Sequence, residues 1–254
     1  VSSVFSPFVY AQDFVGQEVN SFGSIVDDGF EQSPSWSIPE DGSGPYENVY
    51  GYLLNLRNIS SSGTVSISNA WLKLSGNAQV SNNVTTVLID SKSTRSFTAS
   101  KGGLLLDNVN LNSSNKVSAV GARYLDASMF ASEENPNATL YIRENTLKSV
   151  NNTKIVGAVR ISAVDLVLAG GSFGLYATDN TTQLTDTMAE QADAYGIYVS
   201  QSSGSSVSDF ETSGNSLSVT GSSQLKSATA AYVERNNGAR IRAIGSNKLT
   251  LQAD

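Results

Sequence analysis

Val120-Gly121-Ala122-Arg123-Tyr124-Leu125 is one copy of a short pattern that recurs along most of this chain. The pattern is a small or apolar residue, then Gly or Ala, then alternating apolar residues, and it returns as Val156-Gly157-Ala158-Val159-Arg160-Ile161. Further copies contain Gly51, Gly196 and Ala231, and a degenerate copy contains Thr86. These positions are 35, 35, 36, 39 and 35 residues apart, so the sequence predicts a repeat of about 36 residues.

A second element recurs at nearly the same period. It is an Asn followed by alternating apolar residues, as in Asn215-Ser216-Leu217-Ser218-Val219, and one unit lacks a clean copy. Alternation over four to six residues predicts short, half-buried strands. Asn tolerates left-handed backbone at a tight corner, and stacked Asn amides can hydrogen-bond along a ladder. The recurring residues expected to mark equivalent places in the repeat are Gly51, Gly121, Gly157, Gly196, Asn69, Asn108, Asn145, Asn215 and Asn247.

Two repeat architectures fit several short strands per unit. A β-propeller needs hairpins, yet Asn-Gly occurs once, at Asn237-Gly238, and Asp-Gly occurs only before residue 43. Recurrent Asn at one phase favours an all-β, right-handed parallel β-helix, with each unit forming one long coil or two short ones. The exception is Thr185–Ala194, which reads as a helical insertion, and we expect Thr178–Ala194 to be the largest protrusion. Residues 177–194 and 126–138 are the loops expected to present binding surfaces.

Three segments follow from this pattern. Residues 1–11 end in Val9-Tyr10-Ala11 and read either as a signal-peptide remnant or as an ordinary first strand. Residues 12–48 are rich in Gly, Pro and Asp, which predicts an irregular N-terminal cap. Residues 49–254 hold the solenoid repeats, and we expect this array to be truncated at its C-terminus, where an exposed edge would favour self-association.

Composition excludes several kinds of chemistry. The chain has 254 residues but no Cys and no His, so disulfides, His/Cys zinc sites and His-based catalytic triads are absent. Its net charge of −7 argues against nucleic acid as a partner. The acidic pairs Asp27-Asp28 and Glu133-Glu134 read as turns. We therefore expect no cofactor, no metal and no catalytic residue.

A few charged and aromatic residues remain as candidates for binding or catalysis. Asp126 and Asp165 lie five and eight residues after their glycines, so their stacking into one carboxylate site is not expected. Arg123 and Arg160 differ in phase by one residue and should lie on opposite faces, as parts of a solvated surface or of a basic stripe. Tyr198 and Tyr232 share a phase within one residue, which suits a stack, either inside the coil or exposed for sugars or host protein.

The repeat copies and the Ser/Asn/Thr/Gly-rich turns of residues 50–254 resemble the passenger segment of bacterial autotransporters, whose surface domain is a long β-helix. The copies VGARYL (120–125), VGAVRI (156–161), YGIYV (195–199), NSLSV (215–219) and NKLTL (247–251) carry the likeness, and lack of Cys is usual in that family. The resemblance implies a non-enzymatic adhesin or structural stalk, secreted from or displayed on the surface of a Gram-negative bacterium. Its partner would be a protein or glycan of a host or neighbouring cell. The family's C-terminal translocator barrel is expected but is not present in this chain.

A second function remains open beside the adhesin. Parallel β-helices also include carbohydrate-active enzymes and tailspike-like glycan-binding proteins. Two or three acids converging in one groove would favour that alternative.

Overall fold

The computed structural model describes residues 12–15, 18–19, 21–22, 36–37, 51–57, 64–68, 71–75, 79–80, 84–91, 96–112, 121–130, 137–201, 206–234 and 241–253. The signal-peptide expectation for residues 1–11, most of the cap at 12–48, Asn69, and the turns at Asp27-Asp28 and Glu133-Glu134 lie outside these ranges. Every regular element in the described part is a β-strand.

The first twelve strands run up to Asn112. They are β1 (Gln12–Val15), β2 (Glu18–Val19), β3 (Ser21–Phe22), β4 (Trp36–Ser37), β5 (Gly51–Arg57), β6 (Thr64–Ser68), β7 (Trp71–Ser75), β8 (Gln79–Val80), β9 (Val84–Ser91), β10 (Ser96–Ser100), β11 (Gly103–Asp107) and β12 (Asn110–Asn112). The other strands are β13 (Gly121–Phe130), β14 (Asn137–Arg143), β15 (Thr146–Val150), β16 (Lys154–Val156), β17 (Arg160–Ala169), β18 (Ser172–Thr178), β19 (Thr181–Thr185), β20 (Met188–Gln201), β21 (Ser206–Ser213), β22 (Ser216–Gly221), β23 (Gln224–Glu234), β24 (Ile241–Gly245) and β25 (Lys248–Ala253).

The strands stack into three parallel sheets. The first has the order β1-β6-β10-β14-β18-β21-β24, and the second has the order β2-β7-β11-β15-β19-β22-β25. The third contains β5, β9, β13, β17, β20 and β23, and the short strands β8, β12 and β16 join it through β20. Neighbours within each sheet come from successive coils and run parallel, so the predicted all-β parallel solenoid is confirmed and the propeller is not.

Part of the segment predicted as a cap takes part in the same stack. The strands β1 and β2 pair in parallel with β6 and β7, whereas β3 and β4 pair antiparallel with each other.

One repeat makes one coil. At the corner between the first and second sheets, equivalent residues that are hydrogen-bonded to each other are separated by 43 positions from Gly102 to Asn145, then 35 to Asn180, 35 to Asn215 and 32 to Asn247. Within each of these intervals the chain passes once through all three sheets, and in two of them the third sheet receives both a short and a long strand. The alternative of two short coils per repeat is therefore wrong.

The expected helix at Thr185–Ala194 is wrong, and so is the expected protrusion at Thr178–Ala194. This span holds β19 and the first half of β20, which pair with β15, β16 and β17 inside the stack. The side chains of Leu184, Ala189, Ala192 and Ala194 are fully buried. Stacking on neighbouring strands buries these small apolar residues, and it overrides their local helical propensity. Of the other expected loop, residues 126–130 lie in β13, and 131–136 lie outside the described ranges.

Rows of apolar residues fill the interior. Each inward side chain packs on the equivalent residue of the next coil, because parallel strands in register place identical phases about 4.8 Å apart. Representative rows are Phe97–Leu140–Leu175 in the first sheet, Leu72–Leu104–Leu147 in the second and Ala122–Ile161–Ala194 in the third. All of these residues are at most 1% exposed.

A ladder of asparagines closes the corner between the first and second sheets. The side-chain amide of Asn145 donates to Asn180 at 3.0 Å, Asn180 donates to Asn215 at 2.9 Å, and Asn215 donates to Asn247 at 3.0 Å. Each side-chain amide also donates to a backbone carbonyl of the preceding coil, such as that of Ile142 for Asn180. The residue before each Asn has positive φ at Glu144, Asp179, Gly214 and Ser246, which turns the chain from one sheet to the next.

The other predicted repeat residues lie in different places. Asn108 has φ +54 but lies at the corner between the second and third sheets, so Gly102 occupies its expected place at the Asn ladder. Gly121 pairs with Arg160 rather than with Gly157, and Gly157 lies in a turn with φ +77. Gly51 pairs with Val84, and Gly196 lies in β20 between residues that pair with Ser162 and Val164.

Candidate functional site

The strands of the third sheet share a bend in the middle. The register between β13, β17 and β20 skips Tyr124, Ala163 and Gly196, and each of these residues is followed by a second buried residue, at Leu125, Val164 and Ile197. Residues three positions apart on either side of this bend therefore point to the same outer face. The bend brings together two outer rows, one of Arg123, Ser162 and Tyr195 and the other of Asp126, Asp165, Tyr198 and Tyr232.

A polar residue inside the coil supports this bend. Thr182 occupies an inward row that is otherwise filled by Leu147 and Leu217. Its hydroxyl accepts a hydrogen bond from the Ala163 amide at 2.8 Å and donates to the Gly196 carbonyl at 3.3 Å. These backbone groups leave the sheet ladder at the bend, and the buried hydroxyl satisfies them.

Four charged residues form what we call the charged cluster: Arg123, Asp126, Arg160 and Asp165. Asp165 Oδ2 lies 2.8 Å from Arg123 Nε and 2.6 Å from Arg160 Nε. Arg123 Nη1 donates to Asp126 Oδ2 at 2.5 Å. At these distances both guanidinium groups attract the Asp165 carboxylate.

The charged cluster is deeply buried for an outward face. The side chains of Arg123 and Asp165 are 3% and 1% exposed, respectively. Those of Arg160 and Asp126 are 17% and 24% exposed. Burial raises the pKa of Asp165, and attraction to Arg123 and Arg160 opposes that rise. The formal charges of the cluster cancel, so it presents no net charge to a ligand.

Next along the same rows lies what we call the tyrosine cluster: Tyr195, Tyr198 and Tyr232. The rings of Tyr198 and Tyr232 are stacked, with centroids 4.9 Å apart and planes 5° apart. Tyr195 meets both edge-to-face, at 5.1 Å and 5.7 Å. The Arg160 guanidinium lies 3.8 Å from the centroid of Tyr198, which links the two clusters by a cation–π contact.

These contacts correct two expectations and confirm a third. Asp126 and Asp165 are direct register partners, so the prediction that they would not meet is wrong. Arg123 and Arg160 lie on the same face, in contact with one acid, and neither belongs to a solvated surface. The predicted stacking of Tyr198 on Tyr232 is confirmed, but the stack lies on the outer face. Spacing failed because Gly121 and Gly157, the reference positions, are not equivalent.

A concavity lies where β16 meets β20. It has a volume of about 280 Å³ and is lined by Lys154, Ile155, Val156, Gly157, Met188, Glu190 and Gln191. It arises where the register of β20 shifts between Ala189 and Asp193. In the described part of the chain no group of three or more acidic residues is placed to hold a metal ion.

Among the described residues there is no helix of the length and apolarity needed to cross a membrane. The stacked parallel sheets, the Asn ladder and the outer clusters define the chain as a parallel β-solenoid. Comparison with protein-family models, with curated proteins and with solved structures finds no match.

Proposed function

We propose that this chain is a rigid module of a secreted or surface-displayed bacterial protein, of the autotransporter passenger type, and that it acts as an adhesin or stalk. The observation that carries the proposal is the continuous stacking of seven strands in the first sheet. Six steps of about 4.8 Å give a rod of roughly 29 Å. Each coil contacts only its neighbours and the hydrogen-bonded ladder passes through all of them, so the rod has no joint between domains.

The charged cluster favours a structural role over acid–base catalysis. A glycosidase needs two carboxyl groups that reach the scissile bond, with one free to give a proton. Asp165 is 1% exposed and lies between two guanidinium groups, and Asp126 is bound by Arg123. We therefore assign no catalytic step to this pair, and the partner of the module is a protein or glycan of another cell surface.

Adhesion of coated particles tests this function. Microspheres carrying the folded chain should be retained on bacterial or cultured host cells, and microspheres carrying the heat-unfolded chain should not. In the source organism, antibody against the chain should label intact cells. Equal retention of both particles, together with labelling only after cell lysis, would refute the proposal.

A further inference from the structure

The tyrosine cluster combines aromatic surface with solvent access. Tyr232 is 37% exposed, and Tyr195 and Tyr198 are half-buried. The Tyr198 ring has Arg160 on one face and Tyr232 on the other, so its role is to hold the stack together. The ring surface that a ligand can reach belongs to Tyr195 and Tyr232.

Tyr195 differs from the other two in its neighbours along the row. Its register partners in the adjacent coils are Ser162 and Thr229, both of which are small. The contacts with Tyr198 and Tyr232 are edge-to-face, with interplanar angles of 64° and 61°. No ring is stacked on Tyr195 in the described part of the chain, so this ring offers the cluster's best platform for a flat apolar ligand surface.

Asp193 and Ser227 lie two residues before Tyr195 and Thr229 on the same paired strands, so polar side chains border one end of this platform. Asp193 Oδ1 accepts a hydrogen bond from the Ser227 hydroxyl at 2.6 Å, and Asp193 Oδ2 accepts one from Lys226 at 3.3 Å. Ser227 is exposed, and Lys226 has 63% of its side chain exposed. These groups offer hydrogen-bond donors and acceptors on the strand of Tyr195 and on the adjacent strand of the next coil.

The charges around the platform cancel. Asp193 is paired with Lys226, and Arg160 is paired with Asp165. A charged ligand therefore gains little, whereas a polyhydroxylated ligand can use the paired groups as donors and acceptors. An apolar ring face bordered by hydroxyl, carboxylate and ammonium groups suits a pyranose, which has an apolar C–H face and hydroxyls at its edge.

We propose that the tyrosine cluster, with Asp193, Lys226 and Ser227 at its rim, binds neutral glycans by stacking a sugar ring on Tyr195. This inference rests on the proposed adhesin function and names its ligand class and site.

Calorimetric titration of the full chain tests the site directly. The neutral probes are cellohexaose, maltohexaose and chitohexaose, and the charged probe is polygalacturonate. We expect at least one neutral probe to bind. Tyr195→Ala should weaken that binding about tenfold, the scale of an aromatic contact, and Tyr195→Phe should retain it within about threefold because it keeps the ring.

Tyr176→Ala is the matched control. Tyr176 stacks on Tyr141 at 5.1 Å in the first sheet, so this variant also removes one ring of an outer stack and should bind the probe normally. Circular dichroism melting of each variant shows that it is folded. The site is refuted if none of the neutral probes binds, if Tyr195→Ala binds as well as the parent, or if polygalacturonate alone binds.

Particle adhesion separates this inference from the proposed function. If coated microspheres adhere and Tyr195→Ala leaves their retention unchanged, the glycan site is wrong and the adhesin remains. If the folded chain binds a neutral probe but its microspheres adhere to no cell, the adhesin is wrong and the glycan site remains.

Discussion

The replacement Asn180→Ala tests whether the Asn ladder stabilises the solenoid. Asn180 is fully buried, and its amide donates to the Ile142 carbonyl at 3.0 Å. Its side-chain oxygen accepts from the backbone N–H of Asn145 at 3.2 Å. Alanine leaves the Ile142 carbonyl and the Asn145 backbone N–H without this side-chain partner, in a corner closed to water. Two other groups keep a partner. The side-chain amide of Asn145 still donates to the Ala99 carbonyl, and the side-chain oxygen of Asn215 still accepts from the backbone N–H of residue 180.

The expected loss follows from these two backbone groups. A buried polar group left without its partner costs about 1–3 kcal/mol, so the free energy of unfolding should fall by about 2–6 kcal/mol. The local effect should be strongest at the backbone N–H of Asn145, which loses its hydrogen bond to the Asn180 side chain. That amide should then exchange its hydrogen faster than amides two coils away.

Urea unfolding followed by circular dichroism measures the global loss, and native-state hydrogen exchange measures the local one. Exchange is needed because coils of a solenoid can open separately from the whole. Asn152→Gly is the control, since Asn152 is exposed with φ +59 and Gly adopts that backbone freely, so its effect should stay within about 0.5 kcal/mol. The reasoning fails if Asn180→Ala changes stability no more than this control and leaves the exchange of Asn145 unchanged.

Four further outcomes test other parts of the fold. Gly121→Ala should destabilise by about 1–3 kcal/mol or more, because its Cβ would overlap the Arg160 carbonyl oxygen, whereas Gly245→Ala meets no atom within 4 Å and should leave the melting temperature unchanged. Thr182→Val keeps the shape but removes the hydroxyl that satisfies the bend, and urea unfolding should show a loss of about 1–3 kcal/mol; no loss would show that the bend needs no such support. Burial raises the pKa of Asp165, so its ionisation opposes folding: this contribution is absent below the unfolded-state pKa and grows as pH rises through the folded-state pKa. We therefore expect the free energy of unfolding of Asp165→Asn, relative to that of the parent, to increase between about pH 3 and pH 7. A decrease over this range would show that attraction to the two arginines outweighs burial. EDTA should leave the melting temperature unchanged, and a fall would reveal a structural metal.

The local features of the fold could be predicted from the sequence. Short alternating runs such as Thr139–Ile142 predict half-buried strands, because alternate residues of a strand face opposite sides. The repeated Asn before such runs indicates a corner where one residue type recurs, and Asn145, Asn215 and Asn247 do lie in one ladder. Asn180 was missed because Thr182 stands where the pattern needs an apolar residue, although the run Asn-Thr-Thr-Gln-Leu keeps the Asn and the final Leu.

Which residues of successive coils meet was decided only by the tertiary structure. Coils differ in length, from 32 to 43 positions at the Asn ladder, so equal spacing in sequence does not give equal height in the stack. The register is instead set by packing the apolar rows of all three sheets at once, and this placed Arg160 opposite Gly121 and Asp165 opposite Asp126. The bend at Ala163 then turned two outer rows toward each other, joining the charged and tyrosine clusters. Periodicity specifies strands and corners because these depend on near neighbours, whereas the clusters depend on contacts between coils about 35 residues apart.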